Sequence, residues 1–358
     1  MTNFDVCVVG GGPSGAAAAS VLAKYTSRKI CLIEATTYGT WRIGETVSAA
    51  IVPLLAYLGA DGLLDGDMAV PAHGTAAAWG DDRLRERHSI FSAAGSGLHL
   101  DRRRFDKGLS ESVAALGATM LEGVNVRRID RTEDGWILAG DSGESLRTRL
   151  VIDATGRAAR IARRLGAERR PTDRLVGIVC LLERPEGVAQ DMTLVEAVPD
   201  GWWYSAGIPG NRLVVALMTD ADLVKGLAVD EPASFFERLG RTAYVGRGLA
   251  GAEQVSGPIV FPAESQRLNE PIGPGWIAAG DAACSFDPLA SIGIGHAIAS
   301  GIQAARIVNG LLNGDDALAL SYAADIAKHA AVYAAQSRTL YRSEGRWPDA
   351  AFWSRRRH

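Results

Sequence analysis

The sequence predicts an α/β protein: a parallel sheet flanked by helices, an antiparallel sheet inserted into it, and two long helices closing the chain. Three observations predict it. The chain opens on a β-α-β pattern. Apolar runs from Phe4 to Gly10 and from Ile30 to Glu34 are joined by helix formers from Ala16 to Lys24, and parallel strands need such a crossover. Between Leu175 and Met218 the pattern changes to strand-length segments separated by Pro199-Asp200-Gly201 and Pro209-Gly210-Asn211, which are hairpin turns. From Trp276 to Gly280 the parallel-strand pattern returns. Two alanine-rich stretches then follow, roughly Leu289–Leu312 and Leu318–Arg342, with helix-favouring composition.

The elements follow in order. Phe4 to Gly10 is a short apolar run broken only by Asp5 and partly β-branched, the mark of a buried parallel strand. Pro13 and Ser14 suit a helix N-terminus. Val47 to Leu58 and Phe105 to Leu116 are predicted helices. Short strands are expected at Thr119–Leu121, Asn125–Ile129, Trp136–Ala139 and Arg149–Ile152, with Asp134-Gly135 and Asp141-Ser142-Gly143 as turns. The inserted strands are Val176–Leu182, Met192–Val198, Gly201–Ile208 and Leu213–Met218. The tail from Arg342 to His358 is basic and aromatic. Its Trp347, Phe352 and Trp353 stand among Arg346, Arg355, Arg356 and Arg357, a composition typical of exposed interface anchors. The competing expectation is that the tail packs back on the first domain as closure.

Composition excludes several classes. The 358 residues are 47% apolar and 22% charged, an ordinary soluble composition sized for about two domains. The net charge of −3 offers no basic field for nucleic acid or an anionic membrane. No run approaches the roughly 18 apolar residues of a transmembrane helix. The strand beginning at Phe4 leaves no room for a signal peptide. Cys7, Cys31, Cys180 and Cys284 show no CxxC and no metal-ligand spacing. No metal is therefore expected, Cys7 and Cys31 are expected as buried thiols, and the setting is expected to be the reducing cytoplasm.

The chemistry sits in motifs. Gly10-x-Gly12-x-x-Gly15 lies between a strand and a helix, and Glu34 ends the next strand. Gly10 makes the tight turn, Gly12 admits a pyrophosphate to the backbone at the helix N-terminus, and Gly15 lets helix and strand approach. Glu34 can accept both ribose hydroxyls and would repel a 2′-phosphate. NAD and FAD both remain open on this motif. Remote segments bear on the choice. Gly280-Asp281 ends a strand, where an acid can bind a ribityl chain. The turn from Asp287 through Pro288 to Gly293, Ile294 and Gly295 can present backbone N–H groups to the edge of a flavin. Asp101-Arg102-x-x-Phe105-Asp106 places Arg102 within reach of the cofactor.

Together these segments resemble the FAD-dependent monooxygenase superfamily of the p-hydroxybenzoate hydroxylase fold, in its flavin-dependent halogenase-like branch. Asp153-Ala-Thr-Gly156-Arg157, Trp41-Arg42-Ile-Gly44-Glu45-Thr46 and Asp287-Pro288-Leu289 look like that branch. The resemblance covers nearly the whole chain. The closing Tyr341-Arg-x-Glu344-x-Arg346-Trp347-Pro348 to Arg356 resembles flavoprotein maturases of tryptophylquinone amine oxidases. The resemblance implies a Rossmann-like FAD-binding domain from residues 1–70, 95–165 and 265–315. It implies an antiparallel-sheet substrate domain from 71–94 and 166–264, and a C-terminal helix and tail from 316–358. It implies FAD held by Gly10, Gly12, Pro13, Ser14, Gly15, Glu34, Arg42, Arg102, Asp281, Pro288, Gly293 and Ile294. Arg42 is expected along the flavin and Glu45 close to its ring.

The activity implied is monooxygenation of an electron-rich ring, an indole or a phenol, through a flavin C4a-hydroperoxide formed with O2. The substrate is a small aromatic molecule, a carrier-bound group or a tryptophan in a protein or peptide. With a single nucleotide fingerprint, NAD(P)H binds only transiently or a separate flavin reductase supplies electrons. Glu45 and His296 are the candidate catalytic residues. Trp79, Trp202, Trp203 and Tyr204 are the candidate substrate pocket. Two departures set the chain apart from halogenases. No lysine occurs between Lys29 and Lys107, where tryptophan halogenases carry one. Their Trp-x-Trp-x-Ile-Pro signature is stretched here to Trp202-Trp203-Tyr204-Ser-Ala-Gly-Ile208-Pro209. A halogenase without that lysine, a geranylgeranyl-type flavin reductase and a non-catalytic FAD-binding scaffold are the remaining alternatives.

Overall fold

The computed structural model describes residues 2–89, 95–186, 188 and 191–357. Residues 90–94, 187, 189 and 190, which belong to the expected substrate domain, lie outside the described residues. The parallel core has the spatial order Trp276–Ala278, Ser145–Asp153, Thr2–Val9, Ile30–Glu34, Thr119–Glu122. Val9 sits level with Ile33 and with Asp153. The carboxyl ends of the central strands therefore finish together, which is where parallel sheets form ligand crevices. The helix Pro13–Tyr25 crosses the sheet, with every residue from Pro13 to Leu22 buried. It is alanine-rich because the helix Gly293–Leu312 lies directly against it: a Cβ on Gly301 would stand 2.1 Å from the Ser14 carbonyl oxygen.

The inserted sheet has seven strands, ordered Gln254–Pro262, Leu175–Glu183, Arg212–Asp220, Gly201–Ile208, Met192–Val198, Gly74–Ala78, Leu84–His88. One pair departs from the antiparallel expectation, since Met192–Val198 and Gly74–Ala78 run parallel. These two strands are far apart in sequence, and no hairpin constrains their direction. All four cysteines are free and buried, and Cys7 and Cys31 are level on neighbouring strands. Among the described residues no helix is long and apolar enough to cross a membrane.

Three boundaries move for local reasons. The helix expected from Val47 begins at Ile51, because Thr46–Val47 pairs with Gly97–Leu100. The helix expected from Phe105 begins at Arg102, because the Asp101 carboxylate accepts from the Arg103 and Arg104 N–H groups as its cap. The first of the two long closing helices starts at Gly293 rather than Leu289. Asp287 caps a separate 3-10 turn, Pro288–Ala290, which ends at Ser291 in the left-handed region.

The tail overturns the expectation of exposed anchors. Phe352 and Trp353 are 0% and 1% exposed. They cover one face of the inserted sheet together with Tyr341, Trp202, Leu175 and Val179, so the closure is over the inserted sheet rather than the first domain. Trp353 Nε1 donates to the Val198 carbonyl at 2.8 Å. Arginine pairs pin both ends. Arg346 joins buried Glu344 to Asp82 (2.7 Å to Asp82), while Arg355 and Arg356 pair with buried Asp220 at 2.8 and 2.7 Å. Of the arginines that read as an interface, Arg346, Arg355 and Arg356 find carboxylate partners within the chain.

Candidate functional site

A cavity of about 560 Å³ opens at the carboxyl ends of the parallel strands and runs to the inserted sheet. At its first end Gly10 turns the chain with φ +110°, and a Cβ there would lie 2.2 Å from the Ala154 carbonyl oxygen. Gly15 is not part of the lining; a Cβ on it would meet the Gly10 carbonyl oxygen at 1.8 Å, which is the close packing expected of it. Gly12, the N-cap of the first helix, borders the cavity, and a Cβ on it would meet nothing within 4 Å. Pro13 and Ser14 also line it. Ser14 Oγ is buried with no partner among the described residues. Open space at the helix N-terminus fits a pyrophosphate, while the orphaned Ser14 hydroxyl lies against Gly280, where a Cβ would stand 2.8 Å from it.

Glu34 ends its strand with both oxygens engaged. One accepts from the Gly11 N–H at 2.7 Å, the other from Thr36 and from Arg42 Nη2 at 3.0 Å. Arg42 is thus tied to the ribose-side carboxylate and to Asp106 (3.0 Å), and it stacks over the Tyr38 ring at 5.0 Å. Asp106 is a hub that sequence reasoning quoted but gave no role. Fully buried, it also takes a two-pronged contact from Arg102, at 3.0 Å on each oxygen. Arg102 in turn donates to the carbonyls of Ile43 and Gly44 at 2.7 and 3.0 Å, so the two arginines hold the strap that carries Glu45. Asp281 lines the cavity with Arg157 at 3.6 Å. Arg157 is itself aligned by the Phe286 carbonyl at 2.7 Å. Pro288, Gly293 and Ile294 border the same space.

At the far end the lining comes from the inserted sheet. Trp202, Tyr204, Val179 and Phe261 face the cavity. Glu45 lines it too, 4% exposed, with its carboxylate accepting the Gly44 N–H at 3.0 Å. Burial raises its pKa, an effect opposed by the neighbouring Tyr204 hydroxyl. Tyr204 shares a 2.6 Å hydrogen bond with Thr46.

Besides Gly15, three sequence-expected residues fall outside the cavity lining. Trp203 points to the opposite face of the sheet and packs on Phe235, with centroids 5.0 Å apart. Side chains alternate along a strand, so Trp202, Trp203 and Tyr204 cannot all face one pocket, and the period of two was legible beforehand. Trp79 stands one layer behind Trp202, against Trp353 at 5.3 Å, with its Nε1 donating to the Leu340 carbonyl at 3.0 Å. His296 packs on the Phe286 ring at 4.8 Å, and burial lowers its pKa. That leaves Glu45 as the expected acid–base group at the cavity.

The cradle, the strap and the crevice define a flavin-binding oxidoreductase. The chain belongs to the FAD binding domain family, whose profile matches residues 3–203. It is 30% identical to a protein of Marinomonas mediterranea named as an FAD-dependent oxidoreductase, LodB, over 99% of this chain and 97% of that protein. Two solved structures share the fold along the chain. The flavin-dependent halogenase CmlS superposes with TM-score 0.86 at 25% identity, covering 100% of this chain and 68% of that one. QhpG, a peptidyl tryptophan dihydroxylase essential for tryptophylquinone cofactor biogenesis, superposes with TM-score 0.80 at 25% identity, covering 99% and 79%. The protein is accordingly a flavin-dependent oxidoreductase of the halogenase-like branch.

Proposed function

We propose that the protein is a flavin-dependent monooxygenase that hydroxylates the indole ring of a tryptophan held in a polypeptide. O2 is the co-substrate, and NAD(P)H or a separate flavin reductase is the electron source. The observation that carries this reading is the single cavity joining the dinucleotide cradle to the Trp202 and Tyr204 wall, with Glu45 in its lining. The likeness to QhpG supports a peptidyl substrate; the tail, being buried, does not.

Bound FAD supplies electron transfer and O2 activation. The chain's own residues do the rest. Gly12, Ser14 and the first helix N-terminus hold the pyrophosphate, and Glu34 lies at the ribose. The apolar wall takes the ring and excludes water. Glu45 accepts a proton from the ring nitrogen as the ring becomes electron-poor. One oxygen atom replaces a ring hydrogen as hydroxyl and the other leaves as water, with two electrons and two protons entering.

Glu45→Gln is expected to lower kcat by about 10²–10⁴-fold while FAD content stays at the wild-type level. A base whose pKa is raised works only once deprotonated. The wild-type rate on a tryptophan-containing peptide should therefore climb with pH through a value above the ordinary carboxylate range, and the glutamine variant should lose that limb. Equal pH profiles would remove Glu45 from the chemistry.

A halogenase is the second reading, favoured by the likeness to CmlS. No lysine is among the described residues lining the cavity, and an arginine cannot replace one as a neutral amine at ordinary pH. Turnover in bromide with reduced flavin and O2 should add oxygen to the peptide. Mass spectrometry finding bromine in place of hydrogen, dependent on both bromide and FAD, would reverse the assignment.

A further inference from the structure

Behind the cavity wall lies a hydrogen-bonded line that the chemistry above does not use. Trp202, whose side chain is in the lining, donates from Nε1 to the Tyr341 hydroxyl at 3.1 Å. Tyr341 in turn donates to Asp287 Oδ2 at 2.5 Å. The other Asp287 oxygen accepts from the Leu289 N–H at 2.8 Å and so shapes the turn Pro288–Ala290. Asp287 is itself in the lining, 4% exposed, and its own carbonyl accepts from the Tyr333 hydroxyl at 2.5 Å. Tyr341 is 5% exposed and is not in the lining. It lies under Arg356, whose guanidinium stands 5.0 Å from its ring and 3.6 Å from that of Phe352. The two ends of this line belong to different parts of the fold. Trp202 is on the inserted sheet, and Asp287 begins the glycine turn that enters the helix Gly293–Leu312.

We propose that Tyr341 is a positioning residue of the site: it ties the cavity-wall indole of Trp202 to the carboxylate of Asp287, so that the wall facing the substrate and the turn facing the flavin are held as one unit. A tyrosine hydroxyl suits this place because it accepts one hydrogen bond and donates another in a single short link. Buried networks of this kind are sensitive to the loss of one member, since the remaining groups have no water to turn to. Burial pushes Asp287 up to about 6 despite the Tyr341 hydrogen bond, so the carboxylate depends on its donors. The C-terminal helix thereby serves the site without touching a ligand. The inference rests on the cavity being shared by FAD and an aromatic substrate.

The test uses the purified full-length holoprotein and its apoprotein, with FAD and N-acetyl-tryptophanamide as the two probes. Dissociation constants for each probe are measured in wild type, Tyr341→Phe, Trp202→Phe, Asp287→Asn and the Tyr341→Phe/Trp202→Phe pair. Tyr341→Phe should weaken both probes by about 3- to 10-fold, in line with one or two lost hydrogen bonds. It should do so without displacing the melting transition of the holoprotein by more than a few degrees. Trp202→Phe added to Tyr341→Phe should weaken the indole probe by less than the product of the single effects. Asp287→Asn leaves one acceptor oxygen for two donors, the Tyr341 hydroxyl and the Leu289 N–H, and should weaken both probes as Tyr341→Phe does. Multiplicative single effects, or both constants unchanged in Tyr341→Phe, would overturn the inference. If the wild type fails to bind the indole probe, the substrate reading falls. The FAD constants then decide the inference alone: it stands if Tyr341→Phe weakens FAD and falls if it does not.

Discussion

Gly12→Asp will yield a folded protein that carries no FAD. The backbone at Gly12 has φ −73° and ψ −177°, extended values open to any residue, and a Cβ there meets nothing within 4 Å. Aspartate is also a favoured helix N-cap, so the first helix should stand as well as before or better. What changes is the space reserved for the pyrophosphate, which the new carboxylate would occupy with like charge. Two unit charges about 4 Å apart at an effective dielectric near 20 repel by about 4 kcal/mol, roughly a thousandfold in affinity. Absorbance of the purified variant near the flavin bands, with circular dichroism as the fold control, reads the outcome. Wild-type flavin content would mean that the pyrophosphate does not sit at this helix.

Deleting Trp347 to His358 is expected to unfold the inserted sheet. The deletion strips Phe352 and Trp353 from the face they cover, and truncating a single buried aromatic residue costs about 3–5 kcal/mol. It also removes Arg355 and Arg356 from Asp220, which is 1% exposed; stranding a buried charge costs about 3–5 kcal/mol more. Domains are stable by only about 5–15 kcal/mol, so the sum approaches the whole. Trp353→Ala alone should lower the urea midpoint clearly, with its loss divided between packing and the Val198 hydrogen bond. A truncated protein melting within about 1 °C of wild type, a displacement worth about 1 kcal/mol or less for a chain of this size, would mean that the tail is only laid on the surface.

The wall at Trp202 and Tyr204 shows where reading and structure part. The strand Gly201–Ile208 was placed to the residue, because turn residues and β-branched and aromatic runs are local properties. Its facing was misjudged at Trp203 although the alternation is local as well. The buried cysteines, the β-α-β opening and the cap at Asp101 were legible, or could have been, on the same grounds.

Some features depend on which distant surfaces meet. The glycine fingerprint, Glu34 and Gly280-Asp281 were visible by themselves, because close backbone approach and left-handed turns restrict residue choice position by position. The parallel neighbour of Met192–Val198, the burial of the aromatic tail and the line from Trp202 through Tyr341 to Asp287 were not visible. Trp202 and Tyr341 are 139 residues apart, and Tyr341 and Asp287 are 54 apart. An aromatic and arginine-rich segment has the same composition whether its partner is another protein or another part of its own chain. By itself the sequence determined a flavin cradle on a parallel sheet. Only the packing of the inserted sheet against the dinucleotide-binding segments decided which residues enclose the cavity, because hydrophobic burial is non-directional and its partners are chosen by the fold as a whole.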